Sequence, residues 1–225
     1  MRSVYLLVAS MAMSTTLLAG PGAVTVIHGI PGLRVSASVA GAGCAIPDFN
    51  FGETAGPLAL PAGTYMVSLH PGTGCTGAAI PGFSMLPIHV GEDENVTLVA
   101  HLMSDGTPFL SRFGNAVSPV YAGRSRVILH HTAAAPDVDV KLERANGTAA
   151  VVVDLANAST AMTPALLELK PGTYEASVYV AGTNTRAIGP ASLNLEANVT
   201  YLVYAIGTAT GGPLELKVIA VPGGR

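Results

Sequence analysis

Tryptophan is absent from this chain, cysteine occurs only twice, and charge is scarce. Lys and Arg number 11 and Asp and Glu 14, so charged residues are 11% of 225, against roughly 25% in an ordinary soluble domain. A net charge of −3 offers no basic surface to a phosphate backbone, which excludes a nucleic-acid partner. Aromatic residues are only 5%, which leaves little for stacking on sugar rings. Long helix-forming stretches are missing too: 26 Gly and 16 Pro punctuate the chain and exclude a helical bundle. The sequence also lacks the usual signatures of chemistry. It has no G-x-S-x-G elbow, no S-x-x-K with its supporting motifs, no H-E-x-x-H, no calcium-loop pattern and no phosphate-cradling glycine loop. Disorder is excluded by a hydrophobic fraction of 49%.

What is present begins with an N-terminal export pattern. Arg2 precedes an uncharged run from Val4 to Ala19, and Gly20-Pro21-Gly22 ends it. That order reads as a signal peptide over residues 1–19. The run is shorter than the roughly 20 residues needed to span a bilayer; the alternative is an uncleaved anchor. The mature chain is therefore expected to be secreted, periplasmic or at the cell surface, and not membrane-spanning. Cys44 and Cys75, each preceded by glycine, are expected to pair in an oxidising compartment. The other reading, a reactive or metal-binding pair, lacks C-x-x-C spacing.

The chain repeats itself with a period of roughly 100 residues, the scale of a duplicated domain. Val24–His28 resembles Val127–His130, and Pro31–Val35 resembles Pro136–Val140. Leu60-Pro61-Ala62-Gly63-Thr64-Tyr65 resembles Leu169-Lys170-Pro171-Gly172-Thr173-Tyr174, and Asn95-Val96-Thr97 resembles Asn198-Val199-Thr200. Short apolar or alternating runs separated by Gly and Pro predict strands throughout, hence an all-β sandwich or barrel. Asp137–Leu142 alternates charged and apolar residues as a half-buried strand should. Only Met162–Leu169 has room for a short helical turn. A short junction after Tyr121 divides the chain into units 20–122 and 123–225.

A strand ending in histidine, a Pro-x-Val-x-Val stretch, a Leu-x-x-Gly-Thr-Tyr turn and a late Asn-x-Thr strand together resemble the DUF4397 family of exported and cell-surface proteins. The second copy carries the pattern more cleanly, in His130–Val140; the first is shorter there and lacks the two aspartates. The resemblance implies two tandem immunoglobulin-like antiparallel β-sandwich domains. It implies no characterised chemistry and hands over no catalytic residue.

Candidate sites are correspondingly thin. His28, His130, Asp137 and Asp139 are weak candidates for a metal site, but adjacent His130 and His131 point to opposite faces and no spacing is a ligand motif. His28 and His130 more simply tie the turns that follow their strands. Asn95, Asn146, Asn157 and Asn198 open N-x-Ser/Thr triplets and are glycosylation candidates. Tyr65 and Tyr174 occupy one repeated position with a core or corner role. Arg124 and Arg126 sit where they would hold the units together. No cofactor is implied. The reading that follows is a non-enzymatic structural or adhesive module whose partner is a protein, a cell-surface polymer or a second copy. The alternatives are a metal-binding or hydrolytic enzyme with an unfamiliar site, and a weak carbohydrate-binding module.

Overall fold

Where charged and apolar residues alternate, as in Val138-Asp139-Val140-Lys141-Leu142, the chain extends and buries the apolar side chains on one face. Repeated along the sequence, this logic yields sixteen strands in a computed structural model that describes residues 20–121, 123–144, 146–147, 150–157 and 163–222. The signal-peptide reading of residues 1–19 lies outside the described residues.

The first lobe comprises β1 (Gly22–His28), β2 (Val35–Val39), β3 (Gly43–Phe49), β4 (Thr54–Leu60), β5 (Gly63–Pro71), β6 (Leu86–Val90), β7 (Asn95–Leu102) and β8 (Pro108–Gly114). The second comprises β9 (Ser125–His131), β10 (Val138–Arg144), β11 (Ala150–Leu155), β12 (Ala165–Leu169), β13 (Gly172–Val180), β14 (Arg186–Leu195), β15 (Val199–Gly207) and β16 (Leu214–Pro222). Each lobe has two four-stranded sheets, in the orders β4-β1-β7-β8 and β3-β2-β5-β6, then β12-β9-β15-β16 and β11-β10-β13-β14. The protein is all-β, with two similar lobes of one strand order. Among the described residues, no helix is long and apolar enough to cross a membrane.

Three expectations need correction. The layers are not purely antiparallel: β1 runs parallel to β7, and β9 to β15. Parallel neighbours need a long crossover, and here β2 to β6 intervene between β1 and β7. The strand order also differs from the immunoglobulin order, in which the first strand lies beside the second; here β1 lies between β4 and β7, and β2 belongs to the other sheet. Third, residues 165–169 form strand β12, not a helical turn. A segment this short would leave most of its helical N–H and C=O groups unpaired, whereas pairing with β9, Leu166 opposite Ile128, satisfies them.

Strands β7 and β15 are buried on both faces, as continuous apolar runs require. One face packs within its own lobe. The other closes a seam between the lobes, where Ile27, Val99 and Phe113 meet Ile128, Leu202, Tyr204 and Ile206.

Candidate functional site

Strand register decides which residues of the two copies correspond. His28 lies opposite Ala100 in the β1–β7 pair, and His131 opposite Ala205 in the β9–β15 pair. Nε2 of His28 donates to the Leu33 carbonyl at 2.7 Å, and its Nδ1 accepts the Ile30 N–H at 3.3 Å. Nε2 of His131 makes the same bond, 2.8 Å, to the Pro136 carbonyl five residues on. His131 is therefore the counterpart of His28, and the Pro31–Pro136 match slips by two residues. Both rings tie the turn after their strand, and burial lowers the pKa of each.

His130 points the other way, into the seam. Its ring stacks on Tyr204 with centroids 4.5 Å apart and planes 7° from parallel, and it lies 4.4 Å from Phe113. Desolvation pushes its pKa down to about 4. Asp137 instead accepts the Asn157 N–H at 2.8 Å, and Asp139 the Gly182 N–H at 3.0 Å. Asp139 also stands opposite Asp154 across β10 and β11. The four weak metal candidates are thus divided between two lobes and two faces, and no group of three or more metal-ligating side chains converges among the described residues.

Among the described residues, the structure assembles two pairs with the geometry of a nucleophile and its base, and sequence reasoning missed both. They are Ser38 with His70 at 2.9 Å, half-buried beside the disulfide loop, and Ser111 with His101. His101 on β7 accepts the Ser111 hydroxyl of β8 at Nε2, 2.7 Å, while its Nδ1 donates to the Leu102 carbonyl at 3.0 Å. Such a pair could in principle activate a serine. His101 and Ser111 are both 1% exposed, and the Phe109 ring meets the His101 ring edge-on at 6.0 Å. No substrate carbonyl reaches a hydroxyl sealed this way. Burial lowers the His101 pKa, so the ring is neutral and serves as a strut. Farther along the seam, the Asn115 amide donates to Asn95 and Thr97 at 2.7 and 2.9 Å, and the Tyr204 hydroxyl donates to Asn115 at 3.3 Å.

The remaining sequence candidates have structural positions of their own. Cys44 and Cys75 form a disulfide, with Cα atoms 5.6 Å apart, that ties β3 to the loop after β5. Nδ1 of His70 donates to the Gly77 carbonyl in that loop at 3.1 Å, and its Nε2 accepts the Ser38 hydroxyl at 2.9 Å. The Tyr65 hydroxyl donates to the Pro61 carbonyl at 2.7 Å and that of Tyr174 to Lys170 at 3.0 Å, so both phenols close the same turn four residues back. One amino group of Arg126 donates to the Ala116 and Ser118 carbonyls, at 2.8 and 2.9 Å, in the segment joining the lobes, while another pairs with Glu168 at 3.1 Å. Arg124 contributes through its main chain, whose carbonyl accepts the Asn198 N–H.

Of the asparagine triplets, Asn146 and Asn198 are exposed. Asn157 is 3% exposed, and its amide nitrogen donates to the Ala133 and Ala135 carbonyls. Asn198 and Asp93 both take positive φ, 63° and 52°, and accept the N–H of Gly123 and Gly20 respectively. The structural match of Asn198 is therefore Asp93, not Asn95.

One space has no polar feature at all. Between the sheets of the first lobe lies a cavity of about 190 Å³ with hydrocarbon walls, including Val26, Ala37, Val39 and Leu98. The corresponding space in the second lobe is about 10 Å³. By register, Val26, Ala37 and Val39 match Leu129, Val140 and Leu142. Exchanges also run the other way, Val67 against Ala176 for instance, so lost side-chain volume is only part of the cause. The backbone supplies the rest. The β2–β3 pairing is irregular around Ala37 and the β1–β4 pairing between Val24 and Val26, whereas the matching β10–β11 and β12–β9 pairings are regular. Bulges bend the strands that carry them.

Comparison with known proteins adds the following. No curated protein matches the chain. Among solved structures, a Bacteroides ovatus protein assigned provisionally to cell adhesion aligns over 90% of this chain and 96% of its own, at 12% identity and a TM-score of 0.28. A family model described as a domain of unknown function, DUF4397, matches residues 22–141, from the first strand of the first lobe into β10 of the second. The chain belongs to the DUF4397 family.

Proposed function

We propose that this chain is a non-enzymatic structural or adhesive module of the cell envelope or extracellular space. In this reading it is exported by residues 1–19 and built from units 20–122 and 123–225. Its kinship with immunoglobulin-like modules is one of two-layer architecture, not of strand order. The observation that carries the reading is that the histidines paired with hydroxyls or carbonyls, His101 and His70 included, serve to fasten strands and turns. His101 and its partner Ser111 are sealed in the seam between lobes. His70 is held between the Ser38 hydroxyl and the Gly77 carbonyl and so fastens the disulfide loop. The other buried histidines are spent on turns and stacking. The partner is a protein, a cell-surface polymer or a second copy. Asn146 and Asn198 are the acceptor sites whose exposure suits glycosylation.

The test uses beads coated with the mature chain, incubated with one another and with isolated cell-envelope polymer. Saturable clustering or retention is expected, unchanged in His70→Ala and His101→Ala variants that remain folded. Turnover of an ester, phosphate, peptide or glycoside substrate that is lost in His70→Ala or His101→Ala would overturn the reading.

A further inference from the structure

We propose that the interior of the first lobe is a binding site for an unbranched hydrocarbon chain, the tail of an amphiphile, entered between β3 and β4. This goes beyond the structural reading and does not depend on it.

Four observations converge. The cavity of about 190 Å³ exposes only carbon to its contents, and apolar cavities of comparable size stay dry and take up apolar molecules. It is also a slot. Its walls run along β5 from Tyr65 to Leu69, about 13 Å of strand, between sheets that pack about 10 Å apart. A long, thin, uncharged guest fits such a space, and with no polar atom on the walls its polar end must stay outside. The slot reaches the surface: Ala42, Ala45 and Leu58 line it and are themselves exposed, and they lie on or beside the edge strands β3 and β4, which belong to different sheets. Both of these strands pair irregularly with their neighbours, and neither counterpart in the second lobe does. The disulfide fastens the bulged β3 at Cys44, one residue from Ala45, to the loop after β5, which holds that side of the mouth in place.

The experiment titrates the mature chain with hexanol, octanol, decanol and decanoate, and separately with monomeric didecanoyl phosphatidylcholine, following methyl resonances by NMR. Saturable one-to-one binding is expected, strongest for the longer chains, with shifts at Val39, Leu58 and Leu98 and none at Leu129, Leu142 and Val203. Binding of the phospholipid as well as the single-chain compounds would identify a membrane lipid as the source, and binding of the single-chain compounds alone a free amphiphile; either supports the site. The variant Ala37→Val with Val26→Leu, which gives the slot the second lobe's residues, should bind at least about tenfold more weakly while unfolding at the same or a higher temperature. Three results would overturn the proposal: no chain binds; shifts fall only on outward-facing residues of β3 and β4; or the filled variant, folded, binds as well as the parent.

Discussion

In the second lobe, thirteen buried residues drawn from both sheets form one continuous cluster. In the first, the buried residues fall into two clusters, one around Val24, Val90 and Val96 and the other around Ile30, Leu69 and Phe83, with the cavity walled by members of both. The strand order is the same, so topology does not dictate a filled interior. Irregular pairing alone does not open a lobe, since β13 and β14 also pair irregularly in the closed second one. What sets the first apart is irregular pairing at the edge strands β3 and β4, one in each sheet, beside small residues at the centre. At about 24 cal/mol per Å³, an empty space of about 190 Å³ costs about 4–5 kcal/mol. The first lobe also holds the disulfide, which closes a loop with a sequence separation of 31, worth about 3–4 kcal/mol in the loop-entropy picture. The two contributions are of the same order and opposite sign.

That contrast can be broken at several points. Reduction of the disulfide, or Cys44→Ala with Cys75→Ala, should lower stability by about 3–4 kcal/mol. Hydrogen exchange should place the loss in β2, β3 and β5 and leave β10 and β13 protected; uniform loss across both lobes would mean that they unfold as one unit. Next, Leu142→Ala should cost about 3 kcal/mol because it opens a packed core. The matching Val39→Ala should cost less than about 1.5 kcal/mol, because it only enlarges an existing space. Equal losses in urea unfolding would contradict the difference in packing.

The seam has a pH dependence of definite sign. Folded His130 stays neutral down to about 4, whereas in the unfolded chain it takes up its proton near 6.5. The unfolded state therefore binds more protons between these values. Stability is full above about pH 6.5 and falls as pH drops toward 4, by about 2 kcal/mol at pH 5 from this residue alone. His28, His101 and His131 are shifted in the same direction by burial and add to the loss. Urea midpoints at pH 7 and pH 5 measure it, and a folded His130→Phe variant should show a shallower dependence. The smallest expected effect concerns the repeated tyrosines. Tyr174 donates to Lys170 and also accepts from Nε of Arg144 at 3.1 Å. The Tyr65 hydroxyl has the Pro61 bond. Tyr174→Phe should cost about 1 kcal/mol or slightly more, and Tyr65→Phe less.

Much of the scaffold can be read from residues, because periodicity reports burial. Asp137–Leu142 alternates and becomes β10; Tyr201–Ile206 is continuously apolar and becomes the doubly buried part of β15. Strand β4 is harder to see, because Gly56-Pro57 looks like a turn. An edge strand tolerates proline, and this dipeptide lies beside the irregular pairing with β1. The slip between copies has a local cause as well. Pro31 resembles Pro136, and Asn95 resembles Asn198, while the true equivalences rest on a histidine's bond to a carbonyl and on a left-handed turn. His101 and Ser111 stand ten residues apart with no motif around them; only the β7–β8 register brings them together. The slot was latent in the small residues Ala37 and Val26, but its meaning needs the backbone irregularity beside each.

A crystal of the mature chain under xenon pressure tests the difference between the two interiors most directly, since xenon enters dry apolar cavities. The expected result is xenon density between the sheets of the first lobe, beside Ala37 and Val39, and none between those of the second. Density in neither lobe, or equal density in both, would contradict it.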